Sequence, residues 1–167
     1  MNLQDILTLY NYNYWATAQI LAASERLSPE QFLASVDHSF GSLRGTLVHI
    51  LDVECGWRTL CQYQTLAAFG ALQETDVPSL EALKERWAEE ERTMRDYLAN
   101  LSDADLTGYV RYKGDEGQLR ERLLWHCLWH NVNHGTHHRS DAAAILREQG
   151  APPESLDFTQ FLNEQRG

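Results

Sequence analysis

His134 and His138 stand four residues apart in the stretch HNVNHGTHHRSDAAAIL. On an α-helix, with about 3.6 residues per turn, that spacing puts both imidazoles on one face with Cβ atoms ~5–6 Å apart. Two imidazoles at such a separation can grip one metal ion through their nitrogen lone pairs. The neighbours say which way the face points. Leu124, Cys127, Asn131, His134, His138, Ala142 and Ile145 recur at spacings of three and four, a stripe that turns toward a core. Imidazoles inside such a stripe need a partner, because a buried polar nitrogen left unpaired costs free energy. A metal is one such partner and a hydrogen-bonded core is another. Spacing alone leaves both open.

Two histidines are fewer than most metal sites use. Catalytic zinc sites commonly take three protein ligands and keep a position for water. His49 is the candidate third ligand. It lies among apolar residues of a different segment, on a line with Thr46, Val53, Gly56 and Leu60. A pair on one helix and a single residue on another converge only inside a bundle, where such folds build their metal sites.

The remaining candidates each carry a plainer reading. His130 is also four residues from His134 and makes a competing pair. His126, His130 and His137 fall on a flanking line and read as surface or hydrogen-bonding residues; His38 reads as loop. Glu90 interrupts an apolar stripe, so it is either at an edge or an inward-facing carboxylate, with a ligand or supporting role as the sharper alternative. Cys127 reads as helix packing, with a nucleophile or fourth ligand as the alternative. There is no HExxH, GxGxxG or P-loop pattern.

Four long amphipathic segments must position these residues. The first runs from about Leu3 to Ser24, with a stripe of Leu3, Leu7, Tyr10, Tyr14, Ala18 and Leu21. Ser28, Pro29 and Gln31 form a capping box with proline in the first helical position, predicting a short helix near residues 29–34. The second long helix runs from about Ser42 to Ala68, and a linker from Ala71 to Pro78 is long enough to cross an end of a bundle. The third starts at Ser79, a plausible N-cap. Residues 102–118 read as a loop or small hairpin, and the fourth long helix as Gln118 to Glu148, closed by Gly150. The tail LDFTQFLNE is apolar enough to pack back on the bundle. Tyr10, Tyr12, Tyr14 and Trp15 read as core plus a helix-packing or dimer surface. The expectation is an all-α four-helix bundle in one domain over residues 1–167.

Composition narrows the function classes. The formal net charge is −10, from 24 acidic against 14 Lys and Arg residues, which argues against a phosphate-backbone binder. No apolar run approaches the ~18–20 residues of a membrane span. The N-terminus lacks a basic region and a small-residue cleavage site, so it does not read as a secretory signal. Three cysteines without a CxxC suit reduced thiols in a cytoplasm.

Three stretches, in order, resemble the DinB-like family of metal-binding helical bundles, the damage-inducible family. They are Tyr12-Asn13-Tyr14-Trp15-Ala16, Ser42 through Ile50 (SLRGTLVHI), and His130 through Arg139 (HNVNHGTHHR). The likeness extends over essentially the whole chain. It implies an up-down-down-up four-helix bundle. It also implies a divalent metal, zinc or nickel in many members, held by three histidines that fall here on His49, His134 and His138. Many members are homodimers. The wider superfamily includes S-transferases that use low-molecular-weight thiols and a thiol-dependent maleylpyruvate isomerase. One departure is clear: Ser140-Asp141 stands where the family pattern has Gly-Gln. The function expected is therefore a metal-dependent enzyme, a thiol S-transferase or a hydrolase, acting on a small molecule. The alternative is a non-catalytic metal-binding stress-response protein, its coordination closed by Glu90 or Cys127.

Overall fold

Polar caps set where most of the helices begin. In the computed structural model, which describes residues 1–114 and 116–165, Asn2 and Asp5 form a capping box at the start of α1 (Leu3–Ser24). Ser28 and Gln31 do the same for α2 (Pro29–Leu33). The Ser42 hydroxyl accepts from the Gly45 N–H at 2.8 Å and opens α3 (Leu43–Tyr63). Ser79 opens α4 (Leu80–Ala99) by accepting from Ala82. The last long helix, α5 (Leu124–Glu148), has no side-chain cap and continues directly from a strand. Gly150, at φ +78°, closes it.

The four long helices make a bundle in which α1 and α3 each pack on both α4 and α5. Side-chain bonds give the directions. Arg95 reaches Asn11 and Lys84 reaches Glu25, so α1 and α4 run antiparallel. Tyr10 meets Leu128 and Asn131, and Thr17 meets Arg139, so α1 and α5 run parallel. Leu60 shares a cluster with Leu124 while His49 meets His134, so α3 runs against α5. The order is up-down-down-up, as the family resemblance implied.

Parallel α3 and α4 require a connection that returns along the bundle. Gln64 takes a left-handed conformation (φ 54°) and ends α3 at Tyr63, short of the Ala68 expected from the apolar pattern. The reason is tertiary. The Asp52 carboxylate accepts from the N–H groups of Gly70 and Leu72 at 2.7 and 2.9 Å, drawing the linker back along α3. Phe69 packs edge-on against Trp57 at 5.7 Å.

The fourth helix also starts later than expected, at Leu124 rather than Gln118. Residues 119–123 pair instead as β2 (Leu119–Leu123) with β1 (Tyr109–Lys113), antiparallel, Tyr109 opposite Leu123. This is the hairpin insertion. A short helix, α6 (Phe158–Glu164), brings Phe158 and Phe161 onto Tyr12 at 5.1 and 5.9 Å and buries the aromatic cluster of α1.

The core has two apolar levels. One gathers Ile20, Leu47, Ile50, Leu83 and Ile145; the other gathers Ile6, Tyr10, Leu60, Met94 and Leu128. Between them lies a polar level that includes buried Asn13, Thr17, Glu54, Glu90 and Arg139. This level modifies the expected stripe of α1, whose Tyr10 and Tyr14 are buried: Ala18 is exposed, while Asn13 and Thr17 point inward to serve Arg139.

Candidate metal centre

His49 projects from α3 and His134 and His138 from α5, helices that pack closely on one another. The sequence singled out these three, and the structure brings them together. One ligand atom from each lies within 4.8 Å of the other two. The ring centroids are 5.0, 4.7 and 4.5 Å apart, and His49 Nε2 faces His134 Nε2 at 3.2 Å. Such crowding rejects protons. Burial, then the neighbouring imidazoles of His138 and His49, push His134 down to about 3. Burial, followed by His138, also lowers His49. Neutral imidazoles with two ring nitrogens facing one another suit what a divalent cation requires of its ligands. His134 Nδ1 is buried without a hydrogen-bond partner among the described residues.

Two further residues shape the cluster, and sequence reasoning assigned neither a role. Asp141 Oδ2 lies 3.2 Å from His138 Nδ1. A carboxylate there accepts a hydrogen bond from an Nδ1–H, and that tautomer has Nε2 as its lone-pair nitrogen. The signal was available in the spacing of three between His138 and Asp141 on one helix. Phe40 stacks on His49, centroids 4.0 Å apart at 18°, and meets His138 edge-on at 5.3 Å. It sits in the turn before α3, outside any periodic pattern. Gly45 permits that turn: a Cβ there would come within 2.3 Å of the Phe40 carbonyl oxygen.

The other candidates go elsewhere. His126, His130 and His137 are exposed, as their flanking line suggested. His130 lies 4.7 Å from Trp57 and 6.3 Å from His134, ring to ring. His137 forms a second possible metal-holding group with His138 and Asp141, but from the surface. His38 meets Glu148 at 3.4 Å. Glu90 does face inward, yet it is engaged by Arg58 at 2.5 and 2.7 Å and by the Cys55 thiol at 3.2 Å. Cys127 is buried in the second apolar level, where Cys61 packs as well. Neither reaches the three histidines.

The DinB family profile matches residues 1–167. The chain belongs to the DinB family. It is 29% identical over 168 residues to Protein DinB of Bacillus subtilis (strain 168), an alignment covering 92% of this chain and 91% of that protein. Its fold superposes on a DinB-like protein from Bacillus cereus ATCC 10987 with a TM-score of 0.65, at 15% identity, covering 92% of this chain and 97% of that one. That second likeness is one of fold.

In this DinB-family chain the first and last motifs meet in the polar level. Asn13 Oδ1 accepts from Arg139 Nη1 at 2.6 Å, and Asn13 Nδ2 donates to Glu54 Oε2 at 3.3 Å. Thr136 accepts from Arg139 Nη2 at 3.1 Å. Burial, then the charge of Glu90, raise Glu54 to about 7. Gly135 lets α1 approach: a Cβ there would lie 2.7 Å from Arg139 Nη1 and 2.9 Å from Asn13 Oδ1.

Proposed function

We propose that His49, His134 and His138 together bind one divalent metal ion, and that the protein is a metal-dependent enzyme, a thiol S-transferase or hydrolase. The observation that carries this is the convergence of three imidazole nitrogens from two helices within 4.8 Å. Bound there, a divalent ion supplies Lewis acidity, which lowers the pKa of a water or thiol toward neutrality. Three neutral ligands leave the ion's charge undiminished. The chain's own residues do the rest. Burial holds His134 down to about 3 and lowers His49, which disfavours loss of ligand capacity to protons. Asp141 holds the His138 ring in one tautomer. Phe40 covers the His49 ring and limits water on that side.

Zinc and nickel both suit imidazole donors. A non-catalytic metal-binding stress protein would use a fourth protein ligand to close the sphere. Glu90 is held by Arg58, Cys127 is buried among apolar side chains, and neither is grouped with the three histidines, which favours the catalytic reading. We also propose a homodimer, from the family resemblance. The free thiols of Cys55, Cys61 and Cys127 support a cytoplasmic location.

Metal analysis of untagged protein tests the ligand set. The wild type should carry about one equivalent per chain, and His49→Ala and His138→Ala should fall well below it. Full metal content in both variants rejects the assignment. Turnover of electrophilic substrates with low-molecular-weight thiols should exceed that of His49→Ala; equal rates reject the enzymatic reading.

A further inference from the structure

Next to the three histidines, toward the start of α5, a cavity of about 780 Å³ opens between α3, α5 and the β1–β2 hairpin. That volume is in the range of small-molecule sites. Half-buried rings of Trp57, Tyr112 and Trp125 line it. Arg120 and Arg122 stand at its rim, two residues apart on β2 and therefore on one face of the hairpin. His130 joins cavity and histidines: its ring is 4.7 Å from Trp57 and 6.3 Å from His134.

Charge is sorted across this hairpin. The chain has 24 acidic residues against 14 Lys and Arg, yet among the described residues no Asp or Glu lines the cavity. The opposite face of the hairpin pairs Arg111 with Glu121 at 2.6 Å. On the cavity face, Arg122 Nε donates to the Tyr112 hydroxyl at 3.2 Å, and neither Arg120 nor Arg122 meets a carboxylate among the described residues. Two guanidinium groups thus line an aromatic chamber, and a guanidinium fork is the group that recognises a planar carboxylate.

We infer that this cavity binds a small organic acid, with its apolar or aromatic body against Trp57 and Trp125 and its carboxylate at Arg120 and Arg122. As the substrate pocket of the histidine centre, this rests on the metal-centre reading. As a binding site it needs none of the three histidines, which do not line it.

The test is calorimetric titration of the full chain with three matched probes: 4-phenylbutyrate, 4-phenylbutan-1-ol and 4-phenylbutan-1-amine. Phenylbutyrate should bind at least about tenfold more tightly than the alcohol, and the amine more weakly than either. The double variant Arg120→Gln/Arg122→Gln should bring phenylbutyrate down to the alcohol's affinity and leave the alcohol unchanged. Both side chains are exposed, so the fold should survive, as circular dichroism will check. Arg111→Gln, on the other face, should change nothing. Equal affinity for acid and amine, or full phenylbutyrate binding in the double variant, overturns the inference. The same titration on His138→Ala keeps the two readings apart. Lost metal with retained phenylbutyrate binding is what both predict there; retained metal rejects only the metal centre.

Discussion

Glu54 offers a test of the polar level with a definite sign. Its carboxyl is fully buried between α1 and α4, contacts Asn13, and has one oxygen without a hydrogen bond among the described residues. Burial and the nearby Glu90 charge raise its pKa from 4.5 to about 7. A carboxyl whose folded pKa lies above its unfolded one contributes stability below the unfolded value, and that contribution is lost as pH rises through the folded value. The window here runs from 4.5 to about 7. At ~1.36 kcal/mol per unit, the whole shift corresponds to about 3 kcal/mol, roughly two-thirds of it lost by about pH 6. Glu54→Gln removes the titration but keeps an amide oxygen that can accept from Asn13. The variant should therefore match the wild type near pH 4 and become more stable than it by about 3 kcal/mol near pH 8. Urea unfolding of both proteins across that range measures the difference. A stability gap that does not change with pH, or that closes as pH rises, would refute the assignment of Glu54 as a carboxyl held neutral by burial.

Two further perturbations address the linker and the histidine cluster. In Gly56→Ala the new methyl would lie 2.5 Å from the Phe69 ring, so overpacking should lower stability by ~1–3 kcal/mol; adding Phe69→Ala should cancel most of that increment, and a destabilisation that persists in the double variant contradicts the geometry. In Asp141→Asn the His138 ring keeps a neighbour but loses the carboxylate that holds its Nδ1 proton; metal affinity should fall ~10–100-fold without vanishing, measured by competition with a chelator, and unchanged affinity rules out an orienting role.

Local signals carried much of the fold. Ser28, Ser42 and Ser79 each accept from the backbone N–H three residues on, and for Ser28 and Ser79 that capping chemistry was readable from a few adjacent residues. Helical periodicity likewise placed His134 and His138 on the face turned toward α3. What escaped depended on distant partners. Nothing near Gln64 announces a helix end; the stop follows from Asp52 drawing in Gly70 and Leu72, eighteen and twenty residues away. Residues 119–123 carry a leucine spacing that suits a helix, and only the pairing of Leu119 with Lys113 and Leu123 with Tyr109 makes them a strand. Phe40 belongs to no periodic pattern, so its place over His49 emerges only from the folded turn.

The same reasoning explains why the expected stripe of α1 left out Asn13 and Thr17 and what their burial achieves. Hydropathy assigns polar residues to the surface, whereas here they face Arg139, only 2% exposed, and satisfy its guanidinium. Successive helical residues point about 100° apart. Holding Arg139 against α1 therefore fixes the rotation of α5 and directs the preceding residue, His138, toward α3 and His49. Gly135 serves the same end by letting α1 come close enough for Asn13 to reach the guanidinium. The adjacent residues His138 and Arg139 thus divide two tasks on one turn of helix. Arg139 anchors the helix to α1, and that anchorage aims His138 at the cluster. A change at Asn13 should accordingly disturb the histidine geometry from the far side of α5, without touching any of the three rings.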